Sequence, residues 1–445
     1  MKKETLRALA AAALVLSLAA CGRGADGEIG TAAGTNKTEE TAEPSHAAEG
    51  GTFTIVRSGG VRRESLTRAI RLRDMAVSEK TGVRVEYADA ADDGAAQIAA
   101  AADCLSGEHG FDAAEGTFSR LAAPLLAKGI LSAAEEFGGA LGEACLNPTL
   151  KTKSGTYFIT GAIVPASLGD VSCVTVNLET ARRFSVRVPD EAVLAGRFGW
   201  DALKASAAPV PDGVGIYRYG TVDRWVGAAI LISSGFTLTE GEEDGVPEVA
   251  SSADGARKIL ENAAALFGDG SVCFRPDGAM PEEERTIAVK RAFSDPGILY
   301  LFCKTGDVPS LREAGDDISV IPYPGGKSVA DSVNGAAGVI LKGGGAKART
   351  LAALEEASLK YTYPEAVDAC LSGRTRYDSG SHGALSFILS SPRYEPAFAA
   401  AGRDGEELSG MLAAAAEGEA DALVGWELKA AIVNLQIEKI LGGSP

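Results

Sequence analysis

The segment GTFTIVRSG, residues 51–59, opens the part of the chain that has the composition of a folded protein. Its β-branched residues followed by glycine predict a strand that ends in a turn. Residues 64–79 then place apolar side chains at helical spacing, and VRVEYAD, residues 83–89, alternates as a second strand. An alanine-rich helix follows at 92–105, and FDAAEG, residues 111–116, is a third short strand. Strands that alternate with helices indicate βαβ units and a mainly parallel sheet covered on both faces.

A second set of strands and helices begins near residue 156. Apolar runs predict buried strands, helical patterns separate them, and helices dominate from Lys347 to Leu441. We therefore infer an α/β protein with two lobes that are connected by more than one crossing. Ligands of such sheets sit at the carboxyl ends of the strands. The first places to look for a site are thus the loops after Arg57, Ala88 and Ala114.

The first residues have the parts of an export signal: a basic start, an apolar stretch from Ala8 to Leu18, and small residues. That apolar stretch is too short to remain in a bilayer as a spanning helix. The sequence LAAC, residues 18–21, resembles the lipobox of bacterial lipoproteins, whose cysteine becomes lipid-modified and N-terminal. We expect a signal peptide at 1–20, lipidation at Cys21, and a flexible tether at 21–50, which has few branched apolar residues. A plain secreted protein with a chance cysteine is the alternative.

Composition limits the possible classes of function. The chain has 445 residues, 46% of them hydrophobic, so the part after the tether suggests two domains with sizeable cores. The formal net charge of −17 argues against binding to nucleic acid and against electrostatic attachment to anionic lipid. The membrane contact that we expect is therefore the lipid anchor alone.

The cysteines and histidines do not form a recognisable metal motif. The three histidines cluster neither with each other nor with cysteines at ligand spacing, so no metal is expected. An exported protein could pair the six cysteines after the tether in 15 ways. Apolar surroundings such as SCVTVN and LYLFCK favour mostly free, buried thiols instead. The six cysteines are Cys104, Cys145, Cys173, Cys273, Cys303 and Cys370.

Several segments together resemble the extracellular solute-binding proteins that feed ABC importers. The run 154–184, SGTYFITGAIVPASLGDVSCVTVNLETARRF, is similar to a crossing followed by a strand and helix start in that family. FGWDALKASA at 198–207 and DRWVGAAILISSGF at 223–236 resemble two of its helices. The strand, proline-rich loop and returning strand that begin with DISVIPYPGG, residues 317–326, also match. RTRYDSGSHGALSFILSSPRYEPAF, residues 374–398, looks like a clostridial subgroup of these lipoproteins.

The resemblance implies a two-lobe periplasmic-binding-protein-like fold of type II, each lobe a mainly parallel sheet with flanking helices. It places the N-terminal lobe at 51–163 plus 337–385 and the C-terminal lobe at 164–336 plus 386–445. A hinge between the lobes would lie at the crossings, where glycine tolerates large backbone changes. The alternative is that these are ordinary turn glycines. The hinge candidates are Gly161, Gly335 and Gly338.

The resemblance also suggests which side chains touch a solute, since sugar clefts combine aromatic faces with hydrogen-bonding groups. Trp225 matches the family's cleft tryptophan, although the buried stripe of its helix equally fits core packing. Trp200 is expected to pack the start of its helix. An aromatic content of 6%, with three tryptophans, is sparse for a protein that stacks sugar rings. The weaker candidates are Tyr157, Phe118, Tyr217, Tyr300, Glu115 and Asp170; for the two carboxylates an exposed position is the alternative.

The function implied is that of a solute receptor, with no catalysis and no cofactor. It would be a monomer, tethered to the outer face of the cytoplasmic membrane, that captures a sugar or oligosaccharide and passes it to the permease subunits of an ABC transporter. A surface lipoprotein with a structural or adhesive role, or a degenerate receptor, is the alternative. Enzyme motifs are weak: IPYPGGKS at 321–328 has Ile321 where a Walker A loop requires glycine, and DSGSHGA at 378–384 is not G-x-S-x-G.

Overall fold

The computed structural model describes residues 51–61, 64–189, 193, 198–241, 245–277, 280–313, 317–345, 347–371, 379–390 and 392–442. The predicted signal peptide 1–20, the tether 21–50 and Cys21 lie outside these residues. Within the described part of the chain, no helix is both long enough and apolar enough to cross a membrane.

Strands and helices alternate along the first half of the chain, as predicted, and helices dominate its end. The strands are β1 (Gly51–Ser58), β2 (Val83–Ala90), β3 (Ala113–Thr117), β4 (Leu131–Ser132), β5 (Ser172–Asn177), β6 (Tyr217–Thr221), β7 (Thr239–Glu240), β8 (Glu248–Val249), β9 (Ile298–Lys304), β10 (Ile318–Pro322) and β11 (Ala336–Leu341). The helices are α1 (Thr67–Thr81), α2 (Asp93–Ser106), α3 (Ala123–Ala127), α4 (Leu178–Arg183), α5 (Trp200–Ala207), α6 (Val226–Ser233), α7 (Asp254–Phe267), α8 (Glu282–Ser294), α9 (Val308–Glu313), α10 (Ala348–Leu371), α11 (Ser379–Ser390), α12 (Pro396–Ala400), α13 (Arg403–Ala416) and α14 (Trp426–Leu441).

Local sequence explains where the first helices begin and end. Helix α1 ends at Gly82, whose φ of 76° is the left-handed conformation that glycine adopts without steric cost. The Asp92 side chain caps α2 by accepting a hydrogen bond from the Ala95 N–H at 2.8 Å. Residues 118–122 form a single π-helical turn that leads from β3 into α3. These boundaries agree with the sequence prediction to within a few residues.

The strands form two separate sheets. The first has the order β2-β1-β3-β11-β4 and the second the order β10-β5-β9-β6, while β7 and β8 pair as a small hairpin. Strands β5 and β10 are buried along their whole length, and so is β9 up to Lys304, which is why their sequences read as apolar runs. The chain therefore builds its second sheet from residues that lie between β4 and β11 of the first.

The strand directions correct the expectation of mainly parallel sheets. In the first sheet β1 is parallel to β2 and β3, but β11 is antiparallel to β3 and β4. In the second, β5 is antiparallel to both β9 and β10, and only β6 and β9 are parallel. The reason is the position of the crossings. The chain enters β5 at the edge where β9 ends, and enters β11 at the edge where β3 ends.

The two crossings run beside each other. Ile159 and Gly338 exchange two backbone hydrogen bonds of 2.8 Å, and the Asp331 N–H donates to the Asp170 carbonyl at 3.1 Å. Ser172 at the start of β5 donates its N–H to the Val329 carbonyl at 2.8 Å. We call the carboxyl edge of the first sheet the edge where β1, β2 and β3 end, and that of the second sheet the edge where β6 and β9 end. The two crossings lie at these edges, so both carboxyl edges border one junction.

Apolar side chains join the two sheets. One cluster runs from the face of the first sheet that α2 covers to the second sheet and its helices, so Ala114 and Val174 belong to the same core. A separate cluster fills the space between the opposite face of the first sheet and helices α1 and α10, with Ile55 and Leu354 among its members. The apolar contact between the sheets is therefore continuous.

Candidate functional site

A row of charged side chains lies at the carboxyl edge of the first sheet. The register places Asp89 of β2 and Glu115 of β3 on either side of Arg57 in β1. Residues in register on neighbouring strands point to the same face. The Arg57 Nε donates to Asp89 Oδ1 at 2.9 Å, and its guanidinium lies 4.3 Å from the centre of the Tyr87 ring. Three of the loops that the sequence singled out therefore converge here.

A buried arginine connects this row to the first crossing. Arg73 of α1 is 1% exposed; its Nε donates to Asp74 Oδ1 at 2.9 Å and its Nη1 to the Ile163 carbonyl at 3.0 Å. Its Nη2 also donates to the Tyr87 hydroxyl. Burial raises the pKa of Glu115, although Arg73 and Arg57 act to lower it. Nothing in the sequence singles out Arg73, because an arginine among other charges in a helix gives no sign of burial.

A second charged cluster lies at the carboxyl edge of the second sheet. Lys304, the last residue of β9, donates to Asp331 Oδ2 at 2.6 Å. Burial acts to lower the pKa of Lys304, but Asp331, Asp223 and Asp170 raise it above its usual value. One ammonium group is thus paired with Asp331 and stabilised by the charges of two further carboxylates. The sign of Lys304 in the sequence is its place at the end of the apolar run ILYLFC, residues 298–303.

The carboxylates of this second cluster also hold backbone and hydroxyl groups. Asp223 Oδ2 accepts hydrogen bonds from the Ser172 hydroxyl at 2.8 Å and the Tyr323 hydroxyl at 2.9 Å. Burial raises the pKa of Asp223, while the charge of Lys304 and the hydrogen bond from Ser172 act to lower it. Asp170 Oδ2 accepts from the Ala336 N–H at 2.8 Å and so ties the first crossing to the start of β11. Both carboxylates are therefore already hydrogen-bonded to the protein in this conformation.

The hinge candidates occupy tight places. Gly161 has φ of 67°, and a Cβ there would lie 2.1 Å from the Ala144 carbonyl oxygen. A Cβ on Gly335 would lie 2.1 Å from the backbone carbonyl oxygen of Asp331, and one on Gly338 would lie 2.8 Å from a methyl group of Val164. Close packing therefore explains all three glycines in this conformation. Their role as hinges stays a prediction.

Three of the aromatic candidates are completely buried. The Trp225 ring packs edge-on against Phe398, with ring centres 5.5 Å apart. Phe118 packs in the same way against Phe158 at 5.4 Å. The Tyr300 hydroxyl lies 2.7 Å from the Ser206 hydroxyl. In this conformation none of these three rings presents a face to a solute, and their roles as ligand contacts stay predictions.

The Trp225 indole has one further feature. Its Nε1 is buried and has no hydrogen-bond partner among the residues that the structure describes. The helix that follows is buried on every side, and a Cβ on Gly227 would lie 2.2 Å from the Leu412 carbonyl oxygen of α13. The surroundings of Trp225 are thus those of a core residue.

The remaining candidates are more accessible or more polar. Tyr157 is partly exposed and its hydroxyl donates to the Ser154 carbonyl at 2.9 Å, while Tyr217 packs against Phe274 at 5.2 Å. Glu115 and Asp170 are 7% and 9% exposed, so neither is the exposed carboxylate that the alternative interpretation expected. Trp200 stacks on Phe302 at 6.0 Å, as predicted for a packing residue. No group of side chains suited to a metal occurs in the described ranges.

The comparisons with known proteins support the architecture. No protein-family model and no curated protein matches the sequence. The GacH receptor of Streptomyces glaucescens, solved without ligand and with acarbose, matches with a TM-score of 0.57 and 16% identity over 89% of this chain and 100% of that chain. An ABC substrate-binding protein of Listeria monocytogenes in complex with cycloalternan gives 0.55 and 13% over 89% and 100%. Maltose-bound MalE3 of T. maritima gives 0.54 and 14% over 88% and 100%.

At these identities the likeness concerns the fold. The chain has the two-lobe fold of ABC transporter binding proteins, in agreement with the prediction from sequence. The three structures are matched over their whole length, so both sheets and both crossings take part in the likeness.

Proposed function

We propose that this chain is a solute receptor that captures a small solute between its two lobes and delivers it to the permease of an ABC importer. The observation that supports this proposal is the pair of adjacent crossings that bring the carboxyl edges of two sheets to one junction. Closure of two lobes over a solute provides binding without chemistry, because the solute stabilises the closed form by its higher affinity for it.

The proposed lobes are 51–163 plus 337–385 and 164–336 plus 386–445. Strands β1 to β4 fall in the first, and β5, β6, β9 and β10 fall in the second. The boundary at 385 would divide α11, which packs against β10. A boundary before Ser379, which assigns the whole of α11 to the second lobe, fits this packing better.

A sugar or oligosaccharide is the favoured solute. The structural neighbours include receptors solved with acarbose, cycloalternan and maltose. Charged side chains at both edges, such as Arg57, Glu115 and Lys304, are the kind of group that hydrogen-bonds to hydroxyls. Tyr157 and Tyr217 are the aromatic candidates that keep exposed surface. Trp225 and Phe118 would have to change their packing to contact a solute.

The proposed location is the outer face of the cytoplasmic membrane. Lipidation at Cys21 would hold the receptor there, and the segment 21–50 would let it reach the permease. A receptor without an anchor would diffuse away from a cell that has no outer membrane. The anchor predicts that the protein fractionates with membranes, and that Cys21→Ala releases it.

The burial of the aromatic candidates favours a second candidate function. Trp225, Phe118 and Tyr300 have no exposed surface, and the apolar core is continuous between the sheets. Both features suit a degenerate receptor, or a surface lipoprotein with a structural or adhesive role, in which the lobes no longer separate. The two functions differ in whether any small solute stabilises the protein.

Thermal melting against a panel of solutes tests the proposal. The chain from Gly51 onward is unfolded and refolded to remove bound solute, then melted with sugars, oligosaccharides, amino acids and peptides. A solute at about 100 times its dissociation constant should stabilise the receptor by ~2.7 kcal/mol. For a chain of this size the melting temperature should rise by about 3 °C.

A conservative variant keeps the test informative. Trp225→Phe preserves most of the packing against Phe398 but removes the indole N–H. The cavity left in the core should lower the melting temperature of the variant without solute. If Trp225 contacts the solute, the variant should also lose most of the shift that the solute produces. If no compound shifts the melting temperature of the wild type, the degenerate or structural role is favoured.

A further inference from the structure

Two cysteines lie directly opposite each other in the second sheet. The antiparallel register pairs Cys173 of β5 with Cys303 of β9, and their Sγ atoms are 3.8 Å apart. Both residues are completely buried, and 130 residues separate them in the sequence. Two other thiols have different neighbours: Cys104 lies near the Lys342 carbonyl, and Cys273 lies near the Phe274 carbonyl.

This geometry allows a covalent bond without movement of the strands. Directly opposite residues of an antiparallel pair have Cα atoms about 4.5 or 5.5 Å apart. Disulfides form where that distance is about 4.4–6.8 Å and the Cβ atoms face each other. Side chains in register lie on the same face of the sheet, so only a rotation about the Cα–Cβ bonds is needed.

We propose that Cys173 and Cys303 form a disulfide that links β5 to β9 in the folded protein. The bond would close a loop that contains β6, β7, β8 and helices α4 to α8. Its consequence is that β5 and β9 are held covalently side by side within the second sheet. Disulfides of this kind persist in the oxidising surroundings of exported proteins.

The chemistry needs a disulfide oxidant, and oxidised glutathione serves as the probe. One cysteine thiolate attacks the glutathione disulfide, forms a mixed disulfide and releases one glutathione thiolate. The second protein thiolate attacks the sulfur of the first protein cysteine in the mixed disulfide and releases the second glutathione thiolate. Two electrons pass from the cysteines to the oxidant, and the two thiol protons end on the two reduced glutathione molecules.

The step belongs to folding, not to the finished protein. Burial raises the pKa of the Cys173 thiol well above its usual value, so the reactive thiolate is scarce once the sheet has formed. The same burial shields the completed bond from reductants. Cys370 is the competing partner, since it is close enough to raise the pKa of Cys173 and its thiol donates to the Thr305 carbonyl at 3.4 Å.

Peptide mapping after controlled refolding tests the proposal. The full chain is denatured, reduced and refolded in a mixture of reduced and oxidised glutathione, then denatured again in iodoacetamide and digested with trypsin. Cleavage after Lys153, Arg182, Arg291 and Lys304 gives the peptides 154–182 and 292–304, each with one cysteine. A parallel sample stays in denaturant throughout the oxidation and shows which links form without a fold.

The expected result is a linked pair of these two peptides, two hydrogens lighter than their sum, which reductant separates. It should be at least tenfold more abundant after refolding than in the denatured sample, and unchanged in Cys145→Ala, which lacks a buried thiol of the other core cluster. Carbamidomethyl groups on both Cys173 and Cys303 after refolding would overturn the proposal. A link from either of them to Cys370 in their place would overturn it as well.

Discussion

Arg120 and Glu406 form a two-point ion pair between the turn that follows β3 and helix α13. The Arg120 Nε donates to Oε1 at 2.8 Å and its Nη2 to Oε2 at 3.1 Å. The Ser119 hydroxyl donates to the same Oε1 at 2.7 Å. Because α13 packs on α6 and α7, this pair connects the edge of the first sheet to helices that follow β6.

Removal of this ion pair should lower stability only modestly. The Arg120 side chain is 54% exposed, and exposed pairs are worth about 0.2–1 kcal/mol. A double-mutant cycle of Arg120→Ala and Glu406→Gln, measured by denaturant unfolding at pH 7, should give a coupling free energy of about 0.5–1 kcal/mol.

The hydrogen bond from Arg120 lowers the pKa of Glu406. The coupling is therefore present above the pKa of the unfolded chain and should disappear as the pH falls through the lower folded value. A coupling that stays unchanged throughout the acid range would contradict this assignment.

Loss of Lys304 should be far more costly. Asp331 is completely buried, so Lys304→Met leaves a buried carboxylate without its cation and should destabilise the protein by about 3–5 kcal/mol. Lys290→Met is the matched control, because Lys290 pairs with Asp307 at 2.7 Å but both side chains are partly exposed. The control should cost about 1 kcal/mol or less. Equal losses in the two variants, measured by urea unfolding, would show that burial does not govern the Lys304 pair.

Glu115 should make stability depend on pH. Burial raises its pKa, so the folded state holds the proton more tightly than the unfolded chain does. Its contribution is fully present below the unfolded pKa and is lost as the pH rises through the folded value. The melting temperature of Glu115→Gln relative to the wild type should therefore be higher at pH 8 than at pH 4. Asp89→Asn, in the same row but 47% exposed in its side chain, is the control. A larger pH effect in the control would refute this account of Glu115.

Alanine substitutions at two glycines with similar backbone angles can distinguish the cost of a left-handed backbone from the cost of steric overlap. Gly161 and Gly139 have φ of 67° and 79°, but only Gly161 has a neighbour, the Ala144 oxygen, within reach of a Cβ. Gly139→Ala should cost about 1–2 kcal/mol from the left-handed backbone alone. Gly161→Ala should cost about 1–3 kcal/mol more from overlap in the crossing. If the two variants melt at the same temperature, the crossing is looser than the structure indicates.

The sequence predicted the fold better than the site. Local patterns were sufficient for β1, α1, β2 and α2, because apolar spacing decides all four and a glycine ends β1, α1 and α2. Strand direction was not predictable in this way, since it depends on the edge at which the crossings return the chain. The same limit explains the mainly parallel sheets that the sequence suggested.

The burial and the partners of the candidate site residues depend on contacts between distant parts of the chain, which the sequence does not show. Glu115 looks like an exposed carboxylate until β1 places Arg57 beside it. Trp225 matched a cleft residue by its position in a helix. Its complete burial depends on Phe398 and on α13, more than 170 residues further along the chain. The loops after Arg57 and Ala88 do border the charged row, and the solute site expected there stays a prediction.

Hydrogen exchange tests the central claim most directly. The chain is exchanged in heavy water with and without the solute that raises its melting temperature most. A solute held between the lobes should slow exchange at both carboxyl edges, in residues 57–60 and 115–119 of the first sheet and in residues 221–225 and 304–307 of the second. Slower exchange at one edge alone, or no effect of any solute at either edge, would contradict a receptor that closes its two lobes over its ligand.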